Sequence, residues 1–366
     1  MKVLFVGAFD ESEITLAPIK VGRELFRNLA NKQVEVVFLC YFDDGSKYSR
    51  IQKLFGFEKV NKRVFRSGIF PFLFFVIKYK QDIIQIVTPA AYYLPIFLLK
   101  NILKFKITYL SHSIISYSLK NFLKIGCYQK LRLRTIERLV LKYSDSLQIL
   151  SKVEARFLIK YLKVKNEKIR IVDNGINPSR IKKKYIVNSD IIKIIFIGSL
   201  NRKEKSFDFL LAALTKINKK VLLNVHSYYK QESENLWIPP NVQLNLGNPL
   251  NEIELRREFC NNDLFVIPSR RDTFPLSLLE AMDTGILFIS SDRVGLTERF
   301  PESFNKFTVP FGNEEKLKDK ILELHYVDYL EKNKLSEEIR KFAAGYTWDK
   351  VSNEYVQLYN DLSEKK

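Results

Sequence analysis

Short unbroken apolar runs alternate with longer amphipathic stretches from one end of the chain to the other. Residues 2–9 (KVLFVGAF) form a continuous β-branched and aromatic run, as expected of a strand in a parallel sheet covered on both faces. Over residues 16–31, Leu16, Ile19, Leu25, Phe26 and Leu29 recur at helical spacing, and residues 34–40 predict the next strand. Further strands are predicted at 82–87, 105–110, 146–150 and 168–172, with a helix over 127–143. The first series ends at Asp173-Asn174-Gly175, a turn signal. Residues 176–190 then carry a proline, three consecutive lysines and no apolar periodicity, and they read as a linker between domains. The pattern restarts with strands at 191–198, 221–226, 242–247, 264–268 and 286–290 and helices at 206–217, 251–261 and 276–284. Alternation of this kind in both halves predicts two doubly wound α/β domains with parallel sheets. Ligands in such folds bind beyond the carboxyl ends of the strands, which points to the loops after residues 7, 110, 198 and 268. A cleft between the two domains is the expected active site.

Composition narrows the function classes. The chain has 366 residues, enough for two domains, and at 46% hydrophobic it can build ordinary cores. Cys40, Cys127 and Cys260 are far apart and show no CxxC pairing, which excludes a disulfide scaffold and fits a reducing compartment. His112, His226 and His325 are equally scattered, so no metal centre is expected. The longest apolar run, residues 69–77, is nine residues long, whereas a membrane-spanning helix needs about 20. The apolar start meets Asp10, Glu11 and Glu13 too early for an export signal.

Charge is uneven. Residues 1–189 hold 35 Lys and Arg against 14 Asp and Glu, and residues 190–366 hold 25 against 27. The asymmetry points to an anionic partner for the first half: nucleic acid, an anionic membrane or a phosphorylated substrate. No nucleic-acid-binding module is recognisable, so nucleic acid is not an expected partner. The basic helix 127–143 and the aromatic run 69–77 suit membrane docking. They also suit plain sheet-covering helices whose outer faces are basic.

The stretch with the most specific chemistry is 268–285, PSRRDTFPLSLLEAMDTG. It leaves a buried strand through a polar loop and enters a helix near Leu276. The start of that helix offers unpaired N–H groups and the positive end of its dipole to a phosphate. Asp272 in the loop and Glu280 in the helix are separated by seven residues, a spacing that suits two carboxylates holding different hydroxyls of one extended ligand. This stretch resembles the motif of the family-4 retaining glycosyltransferases (glycosyl transferases group 1), which have the GT-B architecture. Pro268, Ser269, Phe274, Leu276, Leu279, Glu280, Ala281, Met282 and Gly285 match it. The chain departs in having Asp272 in place of Glu, and TFP in place of the usual GFG.

Residues 194–214 resemble the same family's donor-phosphate loop. Gly198 stands at the close-approach glycine and Lys205 at the lysine that neutralises the leaving diphosphate. Ser199 replaces the family's arginine, Ser206 replaces its second glycine, and Arg202 or Lys203 is left to supply the missing cation. The turn Gly247-Asn248-Pro249 falls near the expected base, and Trp348 stands at the family's tryptophan in a terminal helix that returns to the first domain. His112 matches a histidine close to the donor sugar, and Gly7 stands in the loop after the first strand.

The resemblance implies a GT-B enzyme with domains 1–187 and 188–345 and a returning helix 346–366. It implies transfer of a sugar from a nucleoside diphosphate sugar, a UDP- or GDP-sugar, to a glycan or lipid-linked acceptor with retention of configuration and without a metal or other cofactor. His112, Asp272 and Lys205 would serve catalysis. Gly198, Ser199, Arg202, Lys205, Gly247, Asn248, Asp272, Thr273, Phe274, Pro275, Leu276, Ser277 and Glu280 would hold the donor. The expected place is the cytoplasm, peripherally on the inner face of the cell membrane, in assembly of bacterial surface polysaccharide. A catalytically inactive GT-B protein that binds nucleotide or glycan for a partner is the alternative.

Overall fold

The computed structural model describes residues 1–14, 16–42, 48–88, 94–121, 126–186, 190–227 and 236–364. The chain divides into two compact units. The first comprises Met1–Glu11, Leu16–Asp173 and Trp348–Lys366, and the second comprises Ser12–Thr15 and Asn174–Thr347.

The first unit is built on strands β1 (Lys2–Gly7), β2 (Glu35–Tyr41), β3 (Phe57–Lys59), β4 (Val64–Ser67), β5 (Ile83–Ile86), β6 (Lys106–Ser111), β7 (Ser146–Ile149) and β8 (Ile169–Ile171). Their order is β3-β4-β2-β1-β5-β6-β7-β8. Every pairing is parallel except the short edge pair β3–β4. Alternate residues of a strand face opposite sides. On one side Leu4, Val6, Leu39, Ile84 and Ile86 pack with Phe72, Val76, Ile96, Phe97, Ile136 and Val140 from helices Ile69–Tyr79, Leu94–Leu103 and Cys127–Tyr143. On the other, Phe5 and Phe38 meet Phe26 of helix Ala17–Leu29. The last helix, Trp348–Glu364, packs beside Ala17–Leu29. It is tied in at both ends: Lys32 Nζ lies 2.5 Å from Asp349 Oδ1, and Tyr359 donates to Gln85 Oε1 at 2.9 Å inside the unit.

The second unit carries β9 (Ile192–Ile197), β10 (Val221–His226), β11 (Val242–Gly247), β12 (Leu264–Ile267), β13 (Leu287–Ser291) and β14 (Thr308–Val309). These are all parallel in the order β11-β10-β9-β12-β13-β14. The chain moves outward from β9 to β11 and then resumes on the other side of β9 at β12. The β9/β12 pair is therefore a topological switch point, where the loops leaving two adjacent strands diverge and open a crevice. In the first unit the corresponding pair is β1/β5.

The segment read as a linker is only partly one. Over residues 174–186 it lies on the second unit, because its polar groups meet buried partners there. Lys183 N–H donates to the Thr284 carbonyl at 2.7 Å, and Tyr185 donates its hydroxyl to the Asp263 carbonyl at 3.0 Å while accepting from Leu287 N–H at 2.8 Å. Lys182 pairs with Asp283 at 2.9 Å, and Arg256, buried in the helix Glu252–Asn261, pairs with the same carboxylate. The first unit thus ends at Asp173 rather than at 187, and the boundary placed between 187 and 188 lies outside the described residues. No helix among the described residues is long and apolar enough to cross a membrane.

Candidate functional site

The two loops that leave the second unit's switch point are fastened to each other. The Arg270 N–H donates to the Glu204 carbonyl at 2.9 Å and also meets the Ser206 hydroxyl at 3.2 Å. Across this junction Lys205 Nζ donates to Asp272 Oδ2 at 2.7 Å, with both side chains largely out of solvent. Asp272 is fixed from behind as well, since its carbonyl accepts from Gly295 N–H at 2.7 Å. Gly198 stands at the end of β9 under the lysine. A Cβ there would press on the Lys205 stem at 3.3 Å, so the glycine sets how closely the lysine lies over the strand end.

Ser206 is the backbone specialist of this loop. It caps helix Phe207–Leu214 with φ +52° and ψ +49°, a left-handed conformation that L-residues other than Gly, Asn and Asp seldom take. Its hydroxyl donates to the Lys203 carbonyl at 3.2 Å and accepts from Arg270 N–H, which offsets the strain. The family's glycine at this position has the same conformational meaning. Arg202, expected to supply the cation that Ser199 lacks, is held by Glu204 instead. Ser199 itself is buried.

Beyond Asp272 the loop runs through Thr273, Phe274 and Pro275 into helix Leu276–Thr284. Pro275 occupies the N-cap and no side chain caps the first turn, so the amides of Leu276 and Ser277 lie at the positive end of the dipole. Phe274 is buried, with its ring 5.3 Å from the Arg299 guanidinium and its carbonyl accepting from Asn174 Nδ2 at 3.4 Å. Glu280 is also buried, one turn into the helix.

Two strands further out, the β10/β11 register sets His226 opposite Gly247. The imidazole lies on the glycine backbone so closely that a Cβ on Gly247 would be 2.1 Å from Cε1. His226 Nδ1 donates to the Asn248 carbonyl at 3.0 Å, which fixes the tautomer and leaves Nε2 3.9 Å from Glu258 Oε2. His226 carried no expectation in the sequence, where it was one isolated histidine. Its place at a strand end, in register with a glycine, was the available signal.

In the first unit Gly7 ends β1 beside the chain leaving β5. A Cβ on it would strike Val87 Cγ2 at 2.4 Å and Thr88 Oγ1 at 2.8 Å, and the next residue, Ala8, donates its N–H to that Thr88 hydroxyl at 2.7 Å. His112 follows β6 and hydrogen-bonds the Val87 backbone. Burial pushes its imidazole down to about 4, so it is neutral through the physiological range. Just beyond, Glu137 takes the N–H groups of Ile115 and Ser116 at 2.5 and 2.9 Å, and Glu154 takes that of Ile114 at 3.2 Å. Burial raises the Glu137 carboxyl above its usual range. Among the described residues no three His, Cys, Asp or Glu side chains gather as metal ligands.

The donor residues named from the sequence therefore fall at or beyond the carboxyl ends of β9, β11 and β12 in the second unit, while His112 and Gly7 meet at Val87 in the first. The profile described as glycosyl transferases group 1 matches residues 192–326, and that described as glycosyltransferase family 4 matches residues 20–180. This chain belongs to the family-4 GT-B glycosyltransferases. An uncharacterised protein in the cps region of Klebsiella pneumoniae is 26% identical to this glycosyltransferase over 357 residues, which cover 90% of this chain and 93% of the relative. Among solved structures, sucrose-phosphate synthase from Thermosynechococcus elongatus superposes with a TM-score of 0.76 at 15% identity, covering 100% of both chains. Anabaena HepE in complex with UDP and glucose gives 0.71 at 14% identity, over 99% of this chain and 100% of that one. The last two establish the fold.

Proposed function

We propose that this glycosyltransferase moves a sugar from a nucleoside diphosphate sugar, a UDP- or GDP-sugar, to a glycan or lipid-linked acceptor, with retention of anomeric configuration. The observation that carries this reading is the Lys205–Asp272 pair over the β9/β12 switch point, next to the uncapped start of helix Leu276–Thr284. A diphosphate entering there would draw Lys205 away from Asp272 and take the helix amides as further donors, so the charge of the leaving group is met by fixed dipoles and one ammonium. The released Asp272 carboxylate is then free to accept hydroxyls of the transferred sugar, and Glu280 those of the ribose. In this scheme the cations and amides of the chain carry the electrostatic task, with no metal required. The bound UDP of the Anabaena structure supports the donor class.

In the first unit, a neutral His112 offers a hydrogen bond to the reacting sugar without adding a charge that would need compensation. The acceptor attacks from the side of the departing phosphate, and that phosphate takes the acceptor's proton. The Klebsiella relative's place in a cps region supports a surface-polysaccharide acceptor, and the excess of Lys and Arg in residues 1–189 supports action at the inner face of the cell membrane. The inactive alternative draws on two observations: Arg202 is committed to Glu204, and Ser199 brings no charge.

Nucleoside diphosphate release separates the two readings. With a panel of UDP- and GDP-sugars and a lipid-linked glycan extract, the enzyme releases nucleoside diphosphate, and Asp272→Ala abolishes it. The product's anomeric proton coupling then reports retention. Release that is absent with every donor, while nucleotide still binds, would favour the inactive reading.

A further inference from the structure

The helices on one side of the first sheet turn an unusual face outward. Their inner residues, Phe72 and Val76, Ile96 and Phe97, Ile136 and Val140, fill the core. The residues between them should then be polar, as on any surface helix. Instead helix Ile69–Tyr79 exposes Phe70, Phe74 and Ile77, at i, i+4 and i+7, with Phe74 67% accessible. Helix Leu94–Leu103 exposes Leu98 (77%) and Ile102 (74%), and helix Cys127–Tyr143 exposes Tyr128 and Leu131. Helix Arg50–Phe55 adds Phe55, whose ring stacks on Phe70 at 5.0 Å although both are open to solvent. These four helices pack side by side in sequence order, so the exposed groups of neighbouring helices lie next to one another along the row.

The sequence around this face is strongly basic. Between Leu94 and Tyr143 the chain has ten lysines and arginines and one acid, Glu137, which is buried. The neighbouring acids are engaged: Glu58 by Arg66 and Asp82 by the Lys2 amide. Where helices Ile69–Tyr79 and Leu94–Leu103 end, a cavity of about 430 Å³ opens, lined by apolar groups such as Val76, Ile77 and Ile102, by three lysines, Lys80, Lys104 and Lys106, and by one acid, Asp82, which the Lys2 amide holds. Lys80 and Lys104 each follow a helix end at φ +53° and +57°, a position that favours Gly or Asn. The helix dipole rewards a cation there, but it accounts for neither the apolar lining nor the stripe that runs into it.

We propose that this face docks flat on an anionic phospholipid bilayer, with the Phe70–Phe74–Ile77 and Leu98–Ile102 stripes in the interface and a lipid phosphate in the pocket of Lys80 and Lys104. Aromatic and aliphatic groups ringed by Lys and Arg, with the lysines of the pocket outnumbering its one acid, are what such a surface selects. A second copy of this chain would bring the same positive face to the contact and be repelled, which is why the bilayer is the committed partner. The inference does not rest on the donor or acceptor reading, since docking needs neither substrate.

Vesicle flotation of the full chain tests it, at about 0.1 M salt, where exposed charges still act over roughly 10 Å. The chain floats with phosphatidylcholine–phosphatidylglycerol vesicles and stays behind with phosphatidylcholine alone. Lys80→Gln with Lys104→Gln lowers partitioning by about five-fold for each lysine. Phe74→Ser with Leu98→Ser lowers it by at least about tenfold, without lowering the melting temperature, because both side chains are already in water. Failure to float with anionic vesicles, or flotation that both double variants retain, would overturn the proposal. So would a dimer in light scattering that Phe74→Ser and Leu98→Ser dissociate, which would assign the face to self-association. Nucleotide binding by the same variants, read separately, shows that the second unit is intact.

Discussion

Lys205 donates to Asp272 at 2.7 Å across the β9/β12 switch point, so the two residues expected to hold opposite ends of the donor's reacting bond hold each other in its absence. The pair pre-positions both groups. It keeps a lysine stem ordered over Gly198 and prevents an unpaired carboxylate from facing the same crevice. A diphosphate competes for the lysine with two negative charges against one.

Removing either member should therefore affect turnover far more than stability. Lys205→Ala is expected to lower kcat/KM by about 100-fold or more, the loss typical of one transition-state charge partner. The cost in unfolding free energy should stay near about 1 kcal/mol, because the pair is only partly buried. Urea unfolding and steady-state kinetics on the same preparations check both numbers.

Ser206 predicts an inverted substitution series. Ser206→Ala keeps the left-handed strain and loses the bonds to Lys203 and Arg270, costing about 1–2 kcal/mol. Ser206→Gly loses the same bonds but relieves about 1 kcal/mol of strain, so it should be the milder change. Chemical denaturation orders the two; an alanine variant as stable as the glycine variant would contradict the strain argument.

His226 and Gly247 should be non-additive. Gly247→Ala must push the imidazole aside and break its bond to the Asn248 carbonyl, costing about 1 kcal/mol or more. In a His226→Ala background the three nearest contacts of the added methyl, all imidazole atoms, are gone, and the cost should largely vanish. A double-mutant cycle reads this directly.

His112 ties stability to pH. Its imidazole protonates near 4 in the folded chain and near 6.5 unfolded, so the unfolded state binds the extra proton between those values. The stability it contributes is complete above about pH 6.5 and is lost as pH falls towards 4, by up to about 3 kcal/mol. The wild type should lose that much more than His112→Asn when unfolding free energies at pH 7 and pH 4 are compared. Equal losses would show that the imidazole is not desolvated.

Much of this was legible in the chain. Continuous apolar runs located the central strands because a parallel sheet buries both faces, and the helices 127–143 and 276–284 were bounded by Gly126 and Gly285 at their ends. The β3–β4 edge pair escaped because Phe57, Glu58 and Lys59 are all exposed and leave no apolar signature. Lys205 and Asp272 could each be named, but they are 67 residues apart, and only the strand order brings them together. The linker reading failed at Lys182, Lys183 and Tyr185 because lysines signal solvent unless a buried acceptor such as Asp283 or the Cys260 carbonyl is known to await them. The run 69–77 was visibly apolar. That Phe70 and Phe74 face outward follows only once Phe72 and Val76 are seen in the core.

The central claim is that the crevice over β9 and β12 binds a nucleoside diphosphate through Lys205. Thermal unfolding with UDP, GDP, ADP and CMP, on the wild type and on Lys205→Ala, tests it most directly. A nucleotide at 100 times its dissociation constant stabilises the fold by about 2.7 kcal/mol, a shift of a few degrees. UDP or GDP should raise the wild-type melting temperature and leave the variant unmoved. No shift with any nucleotide, or the same shift in Lys205→Ala, would contradict the account.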